Sequence, residues 1–289
     1  MAKTTIAIMY DFDKTLCTTD MQEYDFIKNL GITPDEFWGG AGELTSNHEM
    51  DRILAYMYMM VKKCRELNIP LTEKYLNECG KNITLYRGVT TWFDRINQYA
   101  KDINCNVEHY IISSGITEII EGTEIAQYFK KIYGCSFLYD ENKEAIWPSM
   151  AINFTQKTQY IFRIAKGVLD VRDDENLNKH KEDKRIDYKN MIYIGDGLTD
   201  IPCMKLLKEK GGKSIALYPS GGRKKAAQLV EDNRINYVCV ADYSQNSTLE
   251  KIVKLMMETM SVYGNLKDRE EKQLAAFVKA SEGFEQQWK

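Results

Sequence analysis

Short apolar segments that alternate with helical patterns are the feature that most limits what this chain can fold into. Segments rich in β-branched and aromatic residues, as buried strands are, occupy residues 5–13, 108–115, 190–197, 213–219 and 236–243. Between them, apolar residues recur at helical spacing, as in residues 88–100, 117–129 and 155–169. Strands that alternate with helices favour a parallel sheet with helices on both faces. We therefore expect an α/β fold.

One long interval, residues 17–84, breaks this alternation because it contains no convincing strand. Its clearest helical pattern covers residues 47–67 and carries a methionine-rich apolar stripe, which is more typical of a core than of a ligand site. The glycine cluster at 39–43 is expected to be a loop. We interpret 17–84 as a small helical domain inserted into a core made of residues 1–16 and 85–245.

The rest of the chain, residues 246–289, is predicted to be a charged helical extension. Its expected packing face consists of Leu274, Phe277, Val278 and Phe284. The highly charged stretch 170–185 is predicted to be a solvated loop, and residues 220–227 a loop that leads into a helix. The stretch "GGKS" at 211–214 lacks the first glycine of a nucleotide-binding P-loop, so we reject that interpretation.

Composition narrows the classes of function. A net charge of −3 and a pI of about 5.8 give no basic surface for nucleic acid or an anionic membrane. The seven cysteines contain no C-x-x-C pair, which fits reduced thiols and a cytoplasmic location. The N-terminal apolar run is too short for a signal peptide, and no stretch reaches the length of a membrane span. With three histidines, chemistry is expected to rest on acids.

Acidic side chains gather where predicted strands end. Asp11 and Asp13 follow the first strand, and Asp196 and Asp200 lie in "GDGLTD" after a later one. In such sheets ligands bind beyond the carboxyl ends of the strands. Crowded carboxylates repel each other, and oxygen ligands at an open, partly hydrated site suit Mg²⁺. A metal with a lysine nearby indicates a phosphate substrate.

Each residue then has a chemical task. Asp11 is the candidate nucleophile that attacks phosphorus and forms an aspartyl-phosphate. Asp13 is the candidate general acid and base for the leaving alkoxide and the attacking water. Ser113, which follows the apolar run in "YIISSG", and Lys157, at the start of a helix, are candidates to neutralise the phosphate oxygens. Lys143 remains a rival for the place of Lys157.

The motifs DFDKT, "IISSG", Lys157 and "IGDGLTD", in this order, resemble those of the haloacid dehalogenase-like superfamily, and its phosphoserine-phosphatase-like members most. The resemblance implies a Rossmann-like core and a helical cap domain, here 17–84, that closes over the site. It implies that Asp11 and Asp196 bind magnesium directly, that Asp13 adds its backbone carbonyl, and that Asp200 supports the metal or Lys157.

The resemblance also implies residues that bind the substrate. Ser113 and Lys157 would bind the phosphoryl group, with the backbone N–H of Ser114 as a further donor. Asp20 takes the position of a glutamate on the cap, and Arg52 is a counterpart of an arginine that grips the substrate carboxylate. The expected partner is a small phosphorylated metabolite: an amino-acid phosphate first, then aminoalkyl, phosphonate-like and sugar phosphates.

Two other functions stay open at the level of sequence. A phosphotransferase or phosphomutase would keep the same motifs, and assays of phosphate release against phosphate exchange distinguish it from a hydrolase. A catalytically silent binding protein is expected to have lost one of the key acids, and all are present. The oligomeric state stays open as well.

Overall fold

The computed structural model describes residues 3–179, 184–222, 230 and 233–286, without the side chains of residue 198 and of residues 280–286. A seven-stranded sheet forms its centre, in the order β4-β3-β2-β1-β5-β6-β7. All neighbouring strands are parallel except β3 and β4. The strands are β1 Thr5–Tyr10, β2 Asn106–Ile116, β3 Phe129–Tyr139, β4 Ala145–Met150, β5 Met191–Gly195, β6 Lys213–Tyr218 and β7 Tyr237–Val240.

The centre of the sheet is apolar because its strands are covered on both faces. Residues Ile6 to Tyr10 of β1 are fully buried, and β5 is buried along its whole length. From β1 the chain builds β2 and β3 on one side and then crosses to β5 on the other side, so the strand order reverses between β1 and β5. Parallel sheets bind ligands at the carboxyl side of such a switch point. The predicted α/β fold with a Rossmann-like parallel sheet is confirmed.

Ten α-helices accompany the sheet within the described ranges. They are α1 Phe26–Asn29, α2 Pro34–His48, α3 Arg52–Glu66, α4 Glu73–Gly80, α5 Val89–Asp102, α6 Thr117–Glu121, α7 Lys157–Lys166, α8 Asp174–Asn178, α9 Ile201–Glu209 and α10 Thr248–Gln286. Helices α5 and α7 match the predicted segments 88–100 and 155–169. Helix α8 lies in the stretch 170–185, and residues 180–183 of that stretch, like 223–227 of 220–227, lie outside the described residues.

Helices α1 to α4 lie in the insertion between β1 and α5, as the sequence predicts. The two ends of the insertion meet, because Cys17 and Leu85 form an isolated antiparallel bridge and the Tyr86 N–H donates to the Leu16 carbonyl at 2.9 Å. The helices also touch the core beyond this junction: the Ala145 N–H in β4 donates to the Leu71 carbonyl at 2.8 Å.

Two expectations within the insertion are wrong. The glycine cluster 39–43 lies inside α2, since Thr33 and Glu36 form a capping box that starts this helix and Pro34 occupies its first turn. The predicted helix 47–67 begins only at Arg52, because Glu49 adopts a left-handed conformation (φ 51°) and Asp51 caps α3. Local capping thus outweighs the helix-breaking tendency of glycine.

The predicted helix 117–129 is also wrong beyond its first turns. Helix α6 ends at Glu121, and a 3₁₀ turn at Ala126–Tyr128 leads directly into β3. The cause is tertiary: a side chain on Gly122 would place its Cβ 1.9 Å from the Asn77 carbonyl oxygen of α4, so the two backbones touch there. The sequence prediction missed β3 and β4, whose hairpin forms one edge of the sheet.

Helix α10 packs on the core through its first half alone. Its buried residues are the apolar Leu249, Val253, Met256, Met257 and Met260 and the polar Glu250 and Ser261. The predicted packing face is wrong where it can be tested, since Leu274, Phe277 and Val278 are 60%, 73% and 56% exposed; the side chain of Phe284 lies outside the described residues. No helix in the described ranges combines the length and apolar character needed to cross a membrane.

Candidate active site

The first acid of the site is held at the end of β1. Asp11 is 5% exposed, and its backbone N–H donates to the Ile194 carbonyl of β5 at 2.9 Å, which continues the sheet pairing by one residue. The chain then turns sharply, because the N–H groups of Leu16 and Cys17 both return to the Phe12 carbonyl. This turn fixes the position of Asp13 against the sheet edge.

The structure brings Asp11, Asp196 and Asp200 together. One carboxylate oxygen from each lies within 4.8 Å of the others. Asp196 follows β5 directly, and Asp200 stands at the start of α9, so one loop supplies both. The Asp13 carboxylate is not part of this group; its Oδ1 accepts a hydrogen bond from the Met21 N–H at 2.8 Å.

Lys157 is the cation of the site. Its ammonium group is 1% exposed and lies 3.0 Å from Asp11 Oδ1 and 2.8 Å from Asp200 Oδ1. The Tyr193 hydroxyl donates to the same Asp200 oxygen at 2.7 Å. The rival Lys143 lies in the exposed turn between β3 and β4, with φ 64°. The fold therefore delivers Lys157, and not Lys143, to the acids.

The charges of this group are unbalanced. Burial raises the pKa of Asp11 to about 7, aided by the charges of Asp200 and Asp196 and opposed by Lys157. Burial acts to lower the pKa of Lys157, but the charges of Asp11 and Asp200 outweigh it and the pKa is raised. The Lys157 ammonium thus contacts two of the three carboxylates of the group, those of Asp11 and Asp200.

A hard divalent cation fits these residues. Asp200 Oδ2 is buried and has no hydrogen-bond partner among the described residues. Gly195 leaves the room that this oxygen occupies, since a Cβ there would come within 2.4 Å of it. Buried carboxylate oxygens without donors are costly unless they hold a metal or a proton. Oxygen-only ligands suit Mg²⁺.

Asp13 has a separate environment. Burial raises its pKa well above the ordinary range, and the charges of Asp20 and Asp11 add to this effect. Asp13 lines a cavity of about 390 Å³ between the sheet edge and the inserted helices. Asp13 thus lies at the border of that cavity, where burial favours the neutral form of its carboxyl group.

The predicted phosphate-binding serines lie at the end of β2. Ser113 is fully buried, and its Oγ accepts from the Gly115 N–H at 2.9 Å. The Ser114 carbonyl accepts from the Tyr56 hydroxyl of α3 at 2.7 Å, and Ser114 lines the cavity. Gly115 admits no side chain, because a Cβ would approach Met21 Cε to 2.0 Å.

The two predicted substrate residues also line the cavity. Asp20 is already paired, since its Oδ2 lies 2.5 Å from the Lys14 ammonium. Arg52 is exposed at the first position of α3. A ligand in the cavity would therefore meet a neutralised acid and an exposed cation.

Sequence reasoning missed several residues of the site. Tyr193 alternates with apolar residues in β5 and shows no polar pattern of its own. Tyr56, Trp38 and Gln22 line the cavity from the insertion. Gln22 is 2% exposed, and its Oε1 has no hydrogen-bond partner within the described part of the chain. Gln22 lies in a 3₁₀ turn nine residues after Asp13, and nothing in the local sequence marks it as a site residue.

Comparisons with known proteins agree with this geometry. Residues 8–205 match the family model described as haloacid dehalogenase-like hydrolase. An uncharacterized protein of Borreliella burgdorferi is 26% identical, over 84% of this chain and 93% of the relative. This relative is of similar length, and its description names no activity.

Solved structures share the fold at low identity. A substrate-bound phosphoserine phosphatase matches with a TM-score of 0.55 and 14% identity, over 88% of this chain and 99% of that one. A haloacid dehalogenase family hydrolase from Salmonella enterica serovar Typhi matches with a TM-score of 0.53 and 18% identity, over 82% and 67%. Together with the family match over more than half of its residues, these findings show that the chain belongs to the haloacid dehalogenase-like hydrolase family.

Proposed function

We propose that this protein is a magnesium-dependent phosphatase that hydrolyses a small phosphate monoester through an aspartyl-phosphate. The observation that carries the proposal is the group formed by the half-buried Asp196 and the buried Asp11, Lys157 and Asp200, beside a cavity that Asp13 borders. This arrangement provides a nucleophile, a cation for phosphate oxygens, a set of metal ligands and a proton donor at one sheet edge.

Asp11 is the proposed nucleophile. Its carboxylate attacks phosphorus in line with the ester oxygen, a P–O bond to Asp11 forms and the bond to the leaving alkoxide breaks. Lys157, 3.0 Å from Asp11 Oδ1, both favours the charged form of Asp11 and lies where it neutralises a phosphate oxygen. Ser113 supports the same oxygens through its hydroxyl group.

Asp13 is the proposed general acid and base. Its raised pKa keeps a proton available for the departing alkoxide. After the alcohol leaves, the deprotonated Asp13 takes a proton from water, which attacks the aspartyl-phosphate and releases inorganic phosphate and free Asp11. The hydrogen bond from Met21 to Asp13 Oδ1 holds the carboxyl group at the cavity for both steps.

Magnesium would be held by the carboxylates of Asp11, Asp196 and Asp200, with the Asp13 backbone carbonyl as a further ligand. The ion would supply positive charge that lowers repulsion between the carboxylates and the phosphate. Asp200 also positions Lys157, because its Oδ1 accepts hydrogen bonds from the Lys157 ammonium and the Tyr193 hydroxyl. It thereby links the lysine to the acid group.

The cavity between the insertion and the core is the proposed place of the leaving group, with residues 17–84 as a cap that opens and closes. Arg52 would contact an anionic part of the substrate. An ammonium group would have to compete with Lys14 for Asp20, which weakens the case for an amino-acid phosphate relative to sugar and polyol phosphates. Because phosphoserine phosphatases share the fold, phosphoserine belongs in any test panel.

The decisive experiment screens phosphorylated metabolites with the purified full chain, with and without magnesium, and scores phosphate release. We expect release to need magnesium and to disappear in Asp11→Asn, whereas the exposed Asp102→Asn control keeps it. Acid-quenched wild type should carry phosphate by mass spectrometry, and Asp11→Asn should not. Wild-type turnover in Asp11→Asn would refute the nucleophile, and transfer to added alcohols without net release would indicate a phosphotransferase.

A matched metal test uses thermal unfolding. The stability of the wild type should rise with the logarithm of the magnesium concentration above the dissociation constant, because a ligand that binds only the folded state raises the free energy of unfolding. Asp196→Asn should lose most of this response while it keeps the fold by circular dichroism. An equal response in wild type and Asp196→Asn would reject Asp196 as a ligand.

A further inference from the structure

The second half of helix α10 extends away from the rest of the molecule. The helix has 39 residues, which corresponds to a length of about 58 Å. Its packing on the core runs from Leu249 to Gly264, where a Cβ would meet Thr4 Oγ1 at 2.0 Å. From residue 265 to 279 the described side chains are exposed, apart from the half-buried Asp268. Helices without tertiary packing are marginally stable in water, so we expect another surface to pack against this half.

An apolar stripe runs along the exposed side of α10. Leu255, Val262, Leu266 and Leu274 are between 60% and 62% exposed, and Val278 is 56% exposed. Their spacings of 7, 4, 8 and 4 residues keep them on a broad face of one helix. Contiguous exposed apolar surface of this kind marks an interaction site.

The stripe continues into a groove beside the first half of α10. This groove has a volume of about 350 Å³ and is lined by Leu255, Thr259 and Tyr263 of the helix and by Tyr237 of β7. Lys189 lies at the groove and donates to the Tyr263 hydroxyl at 3.1 Å. The groove and the stripe thus form one elongated surface, which we call the α10 face.

The sequence of the α10 face is nearly symmetric about Glu270. Leu266 and Leu274 stand four positions to either side of it, and Val262 and Val278 stand eight positions to either side. Two antiparallel copies of the helix that cross at Glu270 therefore place Leu266 of one copy opposite Leu274 of the other, and Val262 opposite Val278. Such self-complementarity is the property of an isologous interface.

We propose that the α10 face binds a second copy of this chain, as an antiparallel pair of helices about a two-fold axis at Glu270. In this arrangement the last turns of each α10 reach the groove of the other copy, because the groove at residues 255–263 lies opposite residues 277–285. A parallel pair would leave both grooves open. The groove, the stripe and the length of the helix are then explained together.

Charges near the axis support a second copy as the occupant. Lys267, Arg269, Glu270 and Glu271 carry two positive and two negative charges, so two copies bring them together without net charge. Within each helix Lys267 already pairs with Glu271, and Lys272 pairs with Asp268, so the further charges that meet near the axis are those of Arg269 and Glu270, which are opposite in sign.

The first test measures the mass of the full chain by light scattering and sedimentation equilibrium. We expect a dimer whose dissociation constant rises by about 100-fold or more in Leu266→Asp, since each symmetric dimer loses two buried leucines. Exposed Lys62→Ala, on α3, is the matched control and should leave the dimer intact.

Folding and catalysis provide the internal checks. Circular dichroism and hydrolysis of a generic aryl phosphate should be unchanged in Leu266→Asp, because Leu266 is 62% exposed and lies outside the site. A wild-type chain that stays monomeric at high concentration overturns the proposal. So does co-sedimentation of that monomer with phosphatidylcholine–phosphatidylglycerol vesicles, which would assign the face to a membrane.

The second test determines the direction of the helices. Leu266→Cys and Leu274→Cys proteins, treated with a short thiol cross-linker, should form cross-linked dimers when mixed and much less when each is treated alone. The seven native cysteines are buried, so the wild type serves as the blank. Cross-links in each single protein, and none specific to the mixture, would overturn the antiparallel arrangement.

Discussion

Replacing Lys157 by methionine tests whether the buried acid group depends on this one cation. Methionine keeps much of the volume of the side chain and removes its charge. The ammonium group is 1% exposed and contacts Asp11 at 3.0 Å and Asp200 at 2.8 Å, so the variant leaves both carboxylates buried without their counter-ion. Breaking a buried ion pair on one side costs about 3–5 kcal/mol of the free energy of unfolding.

The thermal consequence follows from the size of the chain. The unfolding entropy of 289 residues is about 0.6 kcal/mol/K, so the loss corresponds to about 5–8 °C in Tm. We also expect kcat/KM for a responsive phosphate monoester to fall by about 100-fold or more, because a charge that neutralises the phosphate is removed. Magnesium should recover part of the stability and little of the activity.

Calorimetry in EDTA, with Lys143→Met as the control, measures the stability effect. Lys143 is exposed in a turn, so its replacement should change the free energy of unfolding by less than about 0.5 kcal/mol. A second substitution, Asp200→Asn, should restore stability to Lys157→Met and thereby show the coupling between the two charges. Equal Tm values for Lys157→Met and Lys143→Met, or no coupling with Asp200, would refute the reasoning.

Three further predictions concern the sheet and the cavity beneath the inserted helices. Tyr56→Phe removes the 2.7 Å hydrogen bond from the inserted helix α3 to the Ser114 carbonyl, and we expect KM to rise about 3- to 10-fold with a smaller change in kcat; unchanged steady-state kinetics would show that this contact does not hold α3 in place over the cavity. Gln22→Met removes a buried amide oxygen without a partner in the described residues, so the free energy of unfolding should rise by about 1 kcal/mol in urea titrations while KM for the best substrate worsens; a stability loss would contradict it. Burial lowers the pKa of His109 to about 3, below its value near 6.5 in the unfolded chain, so its contribution to stability is present above pH 6.5 and is lost as the pH falls toward 3. Between pH 6 and 4 the free energy of unfolding should fall by about 1.4 kcal/mol per pH unit from this group, and His109→Gln should flatten that slope in urea titrations.

The sequence alone determined the central strands of the sheet and the place of the acids on them. Residues 6–10 of β1 and all of β5 form apolar runs, because a strand buried on both faces needs apolar residues. The D-x-D motif and "GDGLTD" follow these two runs directly, so a parallel arrangement was enough to predict that Asp11 and Asp196 meet.

Other features depended on contacts between distant segments. The start of a helix was the sequence's reason to prefer Lys157 to Lys143, but its contacts with Asp11 and Asp200 follow from the way α7 packs beside α9. The short helix α6 ends where Gly122 meets the backbone of α4. The cavity side chains, among them Gln22 and Tyr56, come together only because the insertion folds back onto the sheet edge.

The division has a physical reason. A strand that is buried on two faces is a continuous apolar run in the sequence, and the acids that follow such runs mark the carboxyl edge of a parallel sheet. The central strands and the acidic edge can therefore be predicted from one sequence. Helix ends, cavity linings and the partner of a long exposed helix are decided by the shape and charge of surfaces that meet across many residues. In this protein the acids were determined locally, and the lysine, the cavity and the free half of α10 were decided by tertiary structure.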